Sequence, residues 1–120
     1  MSLSGLHIVG AWVVVVANGL AGLWTLGAER VPRLRRRALW WFTIGAEVAI
    51  LVEVALGAAL VAEQDRQADR FHALYGFAAL LGVGILYSYR SQLKHRLYLL
   101  YGLGGLFLMG LALRAVQVRA

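Results

Sequence analysis

Four long apolar runs alternate with short charged segments along the chain, at residues 3–27, 38–62, 71–89 and 97–116. Each run approaches or exceeds the roughly 20 apolar residues that an α-helix needs to cross the hydrocarbon of a bilayer. Because the connections are short, consecutive helices must run antiparallel. The pattern predicts one all-α domain over residues 1–120, a four-helix transmembrane bundle with up-down-up-down topology.

Composition supports a membrane protein and removes several other classes. Of the 120 residues, 61% are hydrophobic and only 15% are charged, which is unlike a soluble domain of this size. The net charge of +6 would suit nucleic acid, but the basic residues flank apolar runs, so we expect no nucleic-acid partner. The absence of cysteine excludes disulfides, thiolate metal sites, iron–sulfur clusters and covalently attached haem.

The basic residues also predict an orientation. They are concentrated in the first and third connections, as Arg30, Arg33, Arg35, Arg36 and Arg37, then Arg90, Lys94 and Arg96. The middle connection balances acidic and basic residues. Since basic connections stay in the cytoplasm, both termini should lie outside. The heavy use of Ala, Arg, Gly, Leu and Val suggests a bacterium, and hence its inner membrane.

The two halves of the chain share a plan. The matched positions are His7 with His72, Gly19 with Gly84, Arg37 with Arg96, and Gly45 with Gly104. Such spacing is typical of a duplicated helical hairpin. Shared membrane composition explains the same matches equally well, so both explanations stay open. The many glycines within the runs are expected to set close helix contacts.

The polar residues inside the apolar runs include Asn18, Glu47, Glu53 and Arg114. A central charge costs roughly 2.5–3.5 kcal/mol on the insertion scale, so each of them needs a partner. Depth along the helices predicts an ion pair between Glu53 and Arg114, and a protonated Glu47 bonded to Asn18 or to another protein. These contacts either hold the bundle together or relay protons, although the two carboxyls face directions about 120° apart.

Two histidines, His7 and His72, lie near the starts of the first and third runs, at one predicted depth. Diagonal helices would bring them together, as two axial ligands of a b-type haem require. Gly10 and Gly76 would leave space for the porphyrin. The cations available for its propionates are Arg66, Arg70 and Arg114. An interfacial packing role for the histidines and a copper site are the alternatives.

The first helix carries a family resemblance in Leu6-His7-Ile8-Val9-Gly10-Ala11-Trp12 and in Gly19-Leu20-Ala21-Gly22-Leu23-Trp24. It resembles the opening helix of copper-resistance-D-like membrane domains, which are similar to four-helix transmembrane b-type cytochromes. The resemblance implies periplasmic-side histidines that serve haem or copper. With two such histidines, this chain has ligands for one haem at most.

Three functions are compatible with these features. The first is a small integral membrane subunit that packs against other membrane subunits or its own copies, in a respiratory or other electron-transfer complex. The second is an electron-transfer module with one b haem between His7 and His72. The third is a proton-coupled carrier that uses Glu47 and Glu53. An independent enzyme is disfavoured because no nucleophile, base and orienting group come together in the sequence.

Overall fold

The structure is a computed structural model that describes residues 2–64 and 70–118. In this part of the chain all regular structure is helical, which confirms the all-α prediction. The four α-helices are α1 (Leu3–Arg30), α2 (Arg37–Gln64), α3 (Arg70–Tyr89) and α4 (Leu97–Gln117). Short 3₁₀ turns at Pro32–Leu34 and Lys94–Arg96 precede α2 and α4.

Local chemistry explains where α1 begins and ends. The Ser2 hydroxyl accepts a hydrogen bond from the Gly5 amide at 3.0 Å, as an N-cap does. At the other end Val31 adopts an extended backbone, which the following Pro32 favours. Arg35 then folds back and donates to the carbonyl oxygens of Ala28 and Glu29 at 2.7 and 2.8 Å. The basic loop therefore supplies hydrogen bonds to carbonyl groups in the last turn of α1, which lack partners within the helix.

The helices form two hairpins, α1 with α2 and α3 with α4. Helix α1 packs extensively against α2 and α4, and α4 also packs against α3, whereas α2 and α3 meet only sparsely. Helices α1 and α3 are therefore diagonal, as are α2 and α4. The buried core between them includes Val14, Ile50, Ala79 and Leu108.

Glycines let α1 and α4 approach until their backbones touch. A Cβ added at Gly105 would lie 2.9 Å from the Gly22 Cα and 3.1 Å from the Asn18 carbonyl oxygen. A Cβ at Gly22 would lie 2.8 Å from the Leu106 backbone nitrogen. Small residues are what such a contact requires, because in lipid close packing has to replace the hydrophobic effect as the driving force.

Other glycines set no helix contact within the part of the chain that the structure describes, so the expectation of such contacts inside the bundle is wrong for them. A Cβ added to any of four glycines would meet no atom within 4 Å: Gly45, Gly76, Gly84 and Gly110. Matched positions of the two halves thus differ, since Gly19 packs against Met109 while Gly84 faces open space. Composition shows that a helix has small residues, but it does not show which of them face a neighbour.

The two ends of the bundle are chemically different. The end that holds residues 31–36 and 90–96, here called the basic end, carries aromatic contacts as well as cations. Trp40 lies 5.3 Å from the Tyr98 ring and 5.7 Å from the Tyr101 ring, centroid to centroid. Trp24 donates from its indole nitrogen to the Leu34 carbonyl oxygen at 3.0 Å. The opposite end, here called the histidine end, holds His7 and His72.

All four helices are long and apolar enough to cross a membrane. The bundle is 49 Å along its longest axis, which exceeds the roughly 30 Å of bilayer hydrocarbon. Large apolar side chains cover its outer surface, among them Leu23, Trp41, Leu74 and Phe107. An outer surface of this kind is unfavourable in water and fits a multi-pass membrane protein.

Candidate functional site

The site is a pair of histidines from the two diagonal helices. His7 belongs to the second turn of α1 and His72 to the first turn of α3. Their ring centroids are 5.9 Å apart, and the ring planes are nearly perpendicular, at 85°. The structure therefore places together the two residues that the sequence selected as candidate ligands.

Helix α2 positions the His7 ring. Nδ1 of His7 lies 3.1 Å from Oε2 of Glu53, and both side chains are largely buried, at 19% and 13% exposure. One turn further along α2, a Cβ added at Gly57 would lie 3.2 Å from Cε1 of His7. The carboxylate thus holds one ring nitrogen while the glycine makes room for the ring.

Gly10 serves a different purpose from the one predicted. A Cβ at this position would collide with Oε1 of Glu53. Gly10 therefore admits the carboxylate to the space between α1 and α2, instead of leaving room for a porphyrin edge. At Gly76, one turn after His72, an added Cβ would meet no atom within 4 Å.

Helix α4 positions the His72 ring. Nδ1 of His72 lies 2.6 Å from the carbonyl oxygen of Ala115. A carbonyl oxygen only accepts, so Nδ1 must carry the proton and donate it. In the neutral ring that tautomer places the lone pair on Nε2, which is the nitrogen suited to a metal.

The predicted ion pair between Glu53 and Arg114 is wrong. Glu53 pairs with His7 instead. Arg114 donates to Oε1 of Gln117 at 3.1 Å, and its guanidinium lies 6.0 Å from the centre of the Tyr75 ring. Helices α2 and α4 are diagonal, so two residues at similar depth on them need not meet.

The predicted hydrogen bond between Asn18 and Glu47 is also wrong. Asn18 is 1% exposed, and its amide nitrogen donates to the carbonyl oxygens of Val14 at 2.9 Å and Ala46 at 3.2 Å. The second bond ties α1 to α2 through the backbone. Glu47 is half-buried on α2 and has no share in this contact.

Of the predicted propionate partners, Arg70 and Arg114 lie at the histidine end. The Arg70 side chain is exposed two residues before His72, with its guanidinium 5.3 Å from the Phe71 ring centroid. Arg66 lies outside the described residues. Either described arginine is near the surface, where a carboxylate group of a ligand would be accessible to it.

Haem and a bare metal ion differ in the number of protein ligands that they need. Within residues 2–64 and 70–118, no three His, Cys, Asp or Glu side chains come together to hold a metal ion. A b-type haem needs only two protein ligands because the porphyrin supplies the other four nitrogens. His7 and His72 would supply that number of ligands.

Sequence reasoning missed how the imidazoles are held. Glu53 and Gly57 are one turn apart and so lie on one face of α2, where a carboxylate and a gap can serve one ring. Their spacing in the sequence is therefore a feature from which a shared role at one ring could be predicted. The acceptor for His72 is a backbone carbonyl, and no residue type in the sequence marks it.

Compared with known proteins, the chain matches no family model, no curated protein and no solved structure. What the fold and the site define is a four-helix bundle of apolar helices with a diagonal pair of imidazoles at one end.

Proposed function

We propose that this chain is a small electron-transfer protein of a bacterial inner membrane, which holds one b-type haem between His7 and His72. The observation that carries the proposal is the approach of the two imidazoles to 5.9 Å from diagonal helices. The resemblance of the first helix to copper-resistance-D-like domains points in the same direction.

The distance between the rings also supports the proposal. With their ring centroids 5.9 Å apart, His7 and His72 from two diagonal helices are near enough that both would hold one haem.

The groups that lie beside Nδ1 of each ring support the proposal. Metal-ligating histidines almost always donate the other ring N–H to a carboxylate or a backbone carbonyl, which fixes the ring and raises its basicity. Nδ1 of His72 donates to the Ala115 carbonyl oxygen, and Nδ1 of His7 lies 3.1 Å from a carboxyl oxygen of Glu53. Both partners belong to the second helix of the same hairpin.

Bound haem would supply one-electron chemistry at a potential set by its axial ligands and their hydrogen bonds. The chain's own contributions are the two imidazoles, the open space beside Gly76, and Arg70 and Arg114 near the surface as partners for the propionates. The positive-inside rule puts the basic loops in the cytoplasm. Both termini and the histidine end then lie on the outer side.

A subunit role within a larger electron-transfer complex is the second candidate. One haem at the histidine end leaves most of the membrane thickness without a carrier, so electrons crossing it would need a further centre. Three exposed glycines, Gly45, Gly84 and Gly110, have open space around them and suit close contact with another helix. A subunit role requires partners, which would be other membrane subunits or further copies of the chain.

The carrier alternative receives less support. Glu53 is engaged with His7, while Glu47 lies six residues away on another face of α2. Asn18, one expected hydrogen-bond partner of Glu47, bonds to backbone carbonyls instead.

Visible absorbance of the detergent-purified protein tests the haem proposal. Protein produced with haem available should show a reduced b-type spectrum at one haem per chain. His7→Ala and His72→Ala should each remove it, while His95→Ala, which changes an exposed histidine of the basic end, should retain it. A helical wild-type protein that stays colourless when haemin is added would contradict the proposal.

A further inference from the structure

Two cavities, both wide open to the surface, meet at the basic end, far from the histidines. One, of about 790 Å³, is lined by residues of α1, the loop after it and α4, and includes Glu29 and Arg30. The other, of about 520 Å³, is lined by α3, α4 and the loop between them. Arg96 and Leu99 line both cavities, so the two are neighbours that share a wall.

The two cavities differ in chemistry. The first has charged side chains from Glu29, Arg30 and Arg96. The second is apolar except for Arg96, and its walls include Leu103 and Phe107. A charged compartment joined to an apolar groove at the level of a membrane interface suits an amphipathic molecule.

The charges favour an anion over a cation. Nε of Arg96 lies 3.5 Å from Oε1 of Glu29, and the arginine side chain is 52% exposed. A guanidinium has five N–H donors, so this single contact leaves donors for another group. Arg30 is exposed as well, which sets two cations against one carboxylate.

We propose that the two cavities form one binding site for an anionic phospholipid. Its phosphate is held between Arg30 and Arg96, and an acyl chain lies in the groove beside Leu103 and Phe107. Both of these apolar side chains are more than half exposed in the isolated chain, at 55% and 63%. The site is independent of haem, because none of its residues belongs to the histidine end.

The basic end also offers a matched control. Arg33 is an exposed arginine of the loop between α1 and α2, and it lines neither cavity. Arg33→Gln and Arg96→Gln therefore remove the same charge from the same end of the bundle. Simple attraction of anionic lipid to a basic surface predicts equal effects for the two variants, whereas a defined site predicts unequal ones.

Native mass spectrometry of the protein in mild detergent, titrated with phosphatidylglycerol or phosphatidylcholine of equal chain length, tests the proposal. Wild-type protein should bind one phosphatidylglycerol in preference to phosphatidylcholine. Arg96→Gln should weaken that binding about five-fold and Arg33→Gln should leave it unchanged. Helical circular dichroism of each variant shows that the fold is retained.

Two further arms separate a lipid from a free phosphate. Excess inorganic phosphate should not displace the bound phosphatidylglycerol, and glycerol phosphate, which lacks acyl chains, should bind far more weakly. The proposal is overturned if Arg33→Gln weakens binding as much as Arg96→Gln. It is equally overturned if folded Arg96→Gln binds like wild type, or if phosphate displaces the lipid.

Discussion

In each of the two hairpins, a group on the second helix lies against the histidine of the first, but the two groups differ. In the first hairpin, His7 of α1 is held by the Glu53 side chain of α2. In the second, His72 of α3 is held by the Ala115 backbone carbonyl of α4. Each hairpin thus brings both an imidazole and the group that fixes it, and the pair forms where the hairpins meet.

This difference bears on how the site responds to change. A side-chain carboxylate is removed by one substitution and carries a charge, whereas a backbone carbonyl is neutral and remains whatever residue occupies position 115. We therefore expect the first hairpin to set the electrostatics of the site. The second hairpin should supply a ligand whose orientation is insensitive to most mutations around it.

Removal of either imidazole should have the largest effect on haem binding. His7→Ala and His72→Ala should each lose stoichiometric haem, because one protein ligand cannot hold the group as two do. Haem content per chain, measured on purified protein, checks this result. Equal retention of haem in the two variants and in wild type would show that the hairpins do not share one iron.

Disruption of the contact between the two hairpins should have the second-largest effect. Gly105→Leu places a side chain against the Gly22 Cα and the Asn18 carbonyl, where backbone atoms cannot yield. We expect a loss of about 3 kcal/mol in unfolding free energy, at the upper end for overpacking, together with weaker haem binding. Denaturation in detergent micelles measures the stability.

The control for this variant is Gly110→Leu on the same helix, where an added Cβ meets no atom within 4 Å. Its stability should differ little from that of wild type. If both leucine variants unfolded alike, the contact between α1 and α4 would not be what joins the hairpins.

Glu53→Gln tests how the two groups that hold the histidines differ in their effect on the site. Loss of the carboxylate should weaken haem binding about 10- to 100-fold, the usual effect of removing such a partner. Because a negative charge near the iron favours the oxidised form, the midpoint potential should rise by roughly 60 mV, a tenfold shift in a one-electron equilibrium. Haemin titration and a redox titration give the two quantities.

Two controls accompany Glu53→Gln. Glu47→Gln makes the same chemical change on the same helix without touching His7, and Ala115→Ser keeps the carbonyl that holds His72. Neither should move the potential appreciably. A Glu53→Gln protein with the wild-type potential would mean that the carboxylate has no influence on the ligand.

The smallest expected effect concerns a polar contact within the first hairpin. Asn18→Ala removes the amide that bonds to the Ala46 carbonyl of α2. Comparable hydrogen bonds between membrane helices contribute about 0.6 kcal/mol on average, so we expect a loss of that order. Unfolding in detergent should detect it, and haem content should stay unchanged.

The helices could be predicted because length and apolarity are properties of consecutive residues. Their ends agree closely with the predicted runs: α3 ends at Tyr89 and α4 begins at Leu97, as expected. The meeting of His7 and His72 could also be anticipated, since alternating direction makes α1 and α3 diagonal and puts both helix starts at one end.

Partners within the bundle were harder to predict. Counting residues gives the depth of Glu53 but neither the rotation of α2 nor the nearest neighbour of the side chain. Depth alone therefore favours Arg114, where His7 is the partner. The same limit applies to Gly10, whose use depends on a carboxylate from another helix. A backbone acceptor such as the Ala115 carbonyl cannot be predicted from the type of residue that carries it.

Electron paramagnetic resonance of the oxidised, haem-loaded protein tests most directly whether one iron is shared by the two hairpins. Axial imidazoles with planes near the observed 85° should give a strongly anisotropic low-spin ferric signal. Any haem that His7→Ala or His72→Ala retains should turn high-spin, while His95→Ala should keep the wild-type signal. A high-spin wild-type spectrum, or a low-spin signal that survives the loss of either histidine, would contradict the account.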